Sequence, residues 1–201
     1  MKEAIFGLVG VIIGSALSWL QTHWIYKRSE NKNARYLAIR CVCILDKFVE
    51  DCMDVIKDNG LSYGQRNAQG CLEPQVKLPG PPIFPADIDW KSIDHETMYK
   101  LLSFTSDVEA GDRLIDFTQT IACPPDYEDF FEERKYHYCK HGLNGCLLSK
   151  KIATKYGIKK KQYDDWDPES DLTQELDKIT KIRQQQIKKR KDIVSSTLKF
   201  K

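Results

Sequence analysis

Residues 4–20 read AIFGLVGVIIGSALSWL, seventeen positions without a charge. Residues 21–26 extend the run to the length that a helix needs to cross ~30 Å of hydrocarbon. Trp19, Trp24 and Tyr26 gather at its C-terminal end, where amphipathic rings suit a headgroup layer. Lys27, Arg28, Lys32, Arg35 and Arg40 follow, whereas Lys2 on the other side is offset by Glu3. This pattern predicts an uncleaved single-pass anchor over 1–28, interfacially held by Trp19, Trp24, Tyr26, Lys27 and Arg28. The positive-inside rule then puts the N-terminus outside and residues 29–201 in the cytoplasm. A signal peptide fits less well, because no A-x-A site ends the run and basic residues follow at once.

Within the run, Gly7, Gly10, Gly14 and Ser18 recur at spacings of three, four and four. They fall on one stripe of a helix, where small residues let two membrane helices approach closely. A homo-oligomer packed through these four residues is the expectation, with membrane lipid as the other partner.

After the anchor, the pattern is helical. Leu37, Cys41, Ile44, Phe48, Cys52 and Val55 repeat at 4-3-4-4-3, which predicts a helix over 31–58 buried on one broad face. Asn59 and Gly60 stop it. Residues 60–87 hold Pro79, Pro81, Pro82 and Pro85 and read as a long loop. Asp94 caps a short helix, and Ser106 with Glu109 forms a capping box expected to open another. Pro124 and Pro125 start a long helix that ends at Gly157. Pro168 opens a last one over 168–201, whose thin apolar stripe suits an antiparallel pair. No period-2 run marks a strand, so the expected class is all-α: one transmembrane helix followed by a cytosolic bundle of long antiparallel helices.

The 201 residues include 31 Lys and Arg against 29 Asp and Glu, a net charge of +2. That balance gives no reason to expect a polyanion. Lys188, Lys189, Arg190 and Lys191 are basic, but no aromatics interleave with them, and nucleic acid is not expected as a partner. The acid-to-base gradient along 168–201 instead matches the helix macrodipole. Seven cysteines without a CxxC pair read as free thiols, most packing as small apolar side chains.

No P-loop, GxGxxG, GxSxG or kinase signature occurs, so no cofactor is expected. One constellation carries candidate chemistry. Glu133, His137 and His141 lie four apart on one helix face, where two histidines can ligate zinc and the glutamate can serve as third ligand or base. The HExxH order is absent, and the competing reading is a solvated or partner-facing polar stripe.

Ile88-Asp89-Trp90, the run from Pro124 through Arg134 (PPDYEDFFEER), and Tyr163-Asp164-Asp165-Trp166-Asp167-Pro168 resemble stretches of small bacterial proteins with an N-terminal membrane helix. The resemblance implies a bacterial inner-membrane protein with a helical cytosolic part, and it carries no activity. The functional expectation is therefore protein–protein interaction, as scaffold, sensor or membrane effector, one form being a prophage or phage-defence component. The alternative from a different class is a membrane-tethered enzyme or metal protein using Glu133, His137 and His141.

Overall fold

The computed structural model describes residues 2–85, 87, 89–160 and 166–198, with the side chains of 2–12 and 190–198 excepted. Four α-helices make up the regular structure of the described residues: α1 (Lys2–Lys57), α2 (His95–Ile121), α3 (Glu128–Lys155) and α4 (Pro168–Leu198), with a short 3-10 turn at Trp90–Ser92. The all-α expectation holds.

The expected membrane anchor does not. Among the described residues no helix is long and apolar enough to cross a membrane. Residues 4–12 of the apolar run have side chains outside the description. From Ile13 to Tyr26 the helix offers fourteen uncharged residues, interrupted by Ser15, Ser18, Gln21, Thr22 and His23. These five polar side chains dilute the apolar character that a hydrocarbon core demands. The single-pass membrane architecture and the inner-membrane localisation with its N-out topology are corrected on this finding.

α3 is the centre of the bundle and packs against α1, α2 and α4. It runs antiparallel to α1, since Arg134 pairs with Asp58, Ser149 with Asp46, and the Gly157 carbonyl with Arg35. It also runs antiparallel to α4, since Lys150 pairs with Glu169 and Glu133 with Arg183. Of the apolar stripe that the spacing predicts on α1, Leu37, Cys41, Phe48, Cys52 and Val55 lie in the core, while Ile44 is half-buried and the neighbouring Leu45 is fully buried. Before Ala34 every described side chain, from Ile13 to Asn33, is exposed.

α2 is one helix rather than two. Asp94 caps it, its carboxylate accepting from the Thr97 amide at 3.0 Å. Ser106 and Glu109 sit exposed in mid-helix. Leu101, Phe104, Val108, Gly111 and Ile115 are buried at 3-4-3-4 spacing straight across the expected break. A continuous buried stripe outweighs a capping box worth about 1 kcal/mol.

The segment between α1 and α2 is the expected long loop, and its buried anchor is Asp58. The Asp58 carboxylate accepts from the amides of Gly60, Gln75 and Val76 at 2.9–3.0 Å and from Arg134 at 3.0 Å. Gly60 turns the chain at φ +74°, where a Cβ would lie 2.5 Å from the Phe131 ring. At the other end of the bundle, Lys160 bridges Asp46 and Ser149 and closes the α3–α4 connection onto α1. All seven cysteines are free, and Cys41, Cys52, Cys139 and Cys146 are buried.

Candidate functional site

The stripe of α3 that faces the core runs Phe130, Arg134, His137, His141 and Gly145, at helical spacing. Three of those five positions carry a polar side chain, and two polar assemblies result. The first is the Asp58–Arg134 pair, its side chains 1% and 4% exposed. The guanidinium also donates to the Val76 carbonyl at 2.8 Å and lies over the Phe130 and Phe131 rings. Burial pulls Arg134 below its ordinary value against the attraction of Asp58. Every strong contact is to this chain's own backbone or rings, which makes the pair a clamp on the 60–87 loop.

The second assembly lies between α2, α3 and α4 and holds the predicted trio. Glu133 Oε1 stands 3.1 Å from His137 Nε2, and the other oxygen of Glu133 is taken by Arg183 from α4. The His137 and His141 rings stack at 5.8 Å between centroids. Both are buried, at 8% and 3% exposure. The competing reading of a solvated or partner-facing stripe is thus corrected for the two histidines, which are buried, while Glu133 is half-buried at the edge. Among the described residues His141 has partners for neither ring nitrogen, and His137 has none for Nδ1. Burial lowers His141 to about 4, with His137 and Lys140 adding repulsion. Burial likewise lowers His137.

α2 reaches these rings because residue 111 is glycine. A Cβ at Gly111 would lie 2.3 Å from His141 Nε2 and 3.0 Å from His137 Nδ1. The next residue, Asp112, accepts from the Tyr138 hydroxyl at 2.8 Å. Burial raises both Asp112 and Tyr138, so each end of the bond resists ionisation. As a ligand set the trio is incomplete. Among the described residues no group of three or more His, Cys, Asp or Glu is placed to hold a metal ion, and Arg183 already occupies Glu133. Cys139 is fully buried, and burial pushes its thiol up to about 12, far from a nucleophilic thiolate.

The other predicted residues lie on the projecting part of α1. Trp19, Trp24 and Tyr26 are 64–68% exposed. Trp19 stacks on His23 at 5.7 Å, and the Arg28 guanidinium lies 5.9 Å over Trp24. Lys27 is exposed. Ser18 is exposed and its carbonyl accepts from the Thr22 hydroxyl at 2.8 Å. A Cβ at Gly14 would meet nothing within 4 Å. Gly7 and Gly10 lie outside the residues whose side chains are described. The structure therefore separates the predicted residues into a buried seam on α3 and an exposed arm, about 13–33, on α1.

Asp58, Arg134, Gly111 and Asp112 were not singled out by sequence reasoning. The available signal was the α3 stripe, in which Arg134, His137 and His141 occupy positions that periodicity assigns to the core.

Fold and site together define a helical bundle with one projecting helix arm and no assembled reaction centre among the described residues. Compared with family models, curated proteins and solved structures, the chain matches none.

Proposed function

We propose that this chain is an interaction module, a helical scaffold that associates through its arm, in the first place with further copies of itself. One observation carries the reading. The described side chains from Ile13 to Asn33 are all exposed, and among them Ile13, Leu17, Trp19, Leu20, Trp24 and Ile25 are 55–68% exposed. Contiguous apolar surface on this scale marks an interaction site, because leaving it in water forgoes ~25 cal/mol per Å2. The bundle behind it has its own buried core, from Ala34 on α1 to Ile179 on α4. Its scaffold, sensor or effector role would lie in holding the bundle at a fixed place relative to what the arm grips.

The test is sedimentation of the full chain over a range of concentrations, beside Leu17→Ser/Leu20→Ser/Trp24→Ser. Wild type should associate with rising concentration, and the variant should stay monomeric with an unchanged unfolding transition. A wild-type chain that remains monomeric and instead floats with phosphatidylcholine vesicles would overturn the reading.

A further inference from the structure

The arm leaves the bundle beside the C-terminal end of α3, where Arg35 donates to the Gly157 carbonyl. At the opposite end, about 36 Å along α1 from Ala34 to Asp58 at 1.5 Å per residue, a groove opens between the 60–87 loop, the first turns of α3 and the middle of α4. Its volume is about 440 Å3, within the range of sites that bury a compact ligand or a few side chains. Leu72, Phe131, Ile179 and Ile182 line it, with Asp126, Glu128, Glu132 and Glu175 around them and Lys135 as the sole lining cation. Phe131 and Ile179 are buried and Ile182 is half exposed, so the floor is apolar and only partly covered.

The arm is the complement of this groove in both respects. Trp24, Ile25 and Tyr26 are large and exposed. Lys27, Arg28, Lys32 and Arg35 follow, with Glu30 as the single acid among them. Some groove acids already have partners: Asp126 meets Arg66 at 2.5 Å, Glu175 meets Lys178 at 3.2 Å, and Glu132 has Arg183 at 3.9 Å. All three contacts lie at a partly exposed surface, where such pairs are weak and exchange readily.

We infer that the arm of one copy docks in the acidic groove of the next, seating Trp24 and Ile25 on Phe131 and Ile182 while Lys27 and Arg28 face Glu128 and Glu175. This rests on the self-association proposed above and names its second surface. Because arm and groove occupy opposite ends of one chain, the contact is head-to-tail. Such contacts either close reciprocally between two antiparallel copies or continue from copy to copy as a ring or an open filament.

A charge swap on the full chain tests it by sedimentation at low and moderate salt. Lys27→Glu/Arg28→Glu and, separately, Glu128→Lys/Glu175→Lys should each weaken association about tenfold or more. The four-residue variant carrying both swaps should recover most of the loss, and wild-type association should fall as salt rises. Unfolding transitions verify that each variant is folded. A groove variant that assembles like wild type, while the arm variant does not, would overturn the groove and leave an arm-to-arm contact. A four-residue variant as weak as the arm variant would also overturn it. Both variants assembling like an associating wild type would overturn the docking, and a monomeric wild type would remove the self-association reading as well.

Discussion

Asp58 and Arg134 stand 76 positions apart in sequence and 3.0 Å apart in space, and between them they close the bundle at one end. Asp58 ends α1 and collects three loop amides, while Arg134 fills a core position of α3 and collects a loop carbonyl. Breaking the pair on one side strands a buried charge, which costs about 3–5 kcal/mol. Arg134→Met should therefore lower the unfolding free energy in urea by that amount. It should also expose the 60–87 loop to proteolysis before the helices unfold. Arg134→Met combined with Asp58→Asn should cost less than the two single changes added together.

Gly111 supports a second prediction. Gly111→Ala places a methyl 2.3 Å from a buried imidazole nitrogen that has nowhere to swing. Overpacking of this kind costs about 1–3 kcal/mol. The loss should be recovered in large part by His141→Ser, which removes the obstructing ring. A Gly111→Ala chain as stable as wild type in chemical denaturation would show that α2 does not approach α3 so closely.

Acid stability should report the same seam. His141 is held at about 4 against an ordinary 6.5, so between those values the unfolded chain binds more protons than the folded one. Stability is therefore lost as pH falls from about 6.5 toward 4, by up to roughly 3 kcal/mol at 1.36 kcal/mol per unit. The groups facing the ring are His137, Tyr138 and Lys140 on α3 and the Gly111 backbone on α2, with Asp112 and Glu133 as the nearby acids. His141→Leu should flatten the midpoint-versus-pH curve across this interval. An unchanged slope would place the acid sensitivity elsewhere.

Gly60 gives a fourth. Its φ of +74° disfavours any side chain, and a Cβ would meet Phe131 at 2.5 Å. Gly60→Ala should cost about 1–3 kcal/mol, and Phe131→Leu should relieve only the steric part. Gly64→Ala, at φ +79° with nothing within 4 Å, isolates the backbone contribution and should cost about 1 kcal/mol.

Periodicity made the helices legible. The stripe through Leu37, Cys41, Phe48 and Cys52 buries the face it predicts, and the breaks at Gly60 and Gly157 fall where α1 and α3 end. The capping box at Ser106 misled because a local cap signal says nothing of the stripe that continues beneath it. The uncharged run of residues 4–20 spoke of hydrophobicity, yet among the described residues no helix is long and apolar enough for a span. Of the site, the spacing of Glu133, His137 and His141 put them on one face, as the structure does. That this face turns inward, with Arg134 on it, was legible only in the core register of the α3 stripe. What the local pattern did not carry was the partners, Gly111 on α2 and Asp58, which stands 76 residues from Arg134.

The continuity of α1 has one more consequence. From Ser15 to Asn33 the helix contains neither glycine nor proline, and its C-terminal half is locked in the core. Nineteen residues at 1.5 Å make a strut about 28 Å long. A flexible tether of that many residues would let the bundle roam; a strut fixes both its stand-off and its bearing. Whatever the arm's outer end holds is thereby kept at a set distance from the bundle, and any rotation imposed there turns the body as one piece. Inserting two residues after Asn31 would lengthen the strut by only about 3 Å but turn it by roughly 200°, so phase rather than reach is the quantity this helix controls.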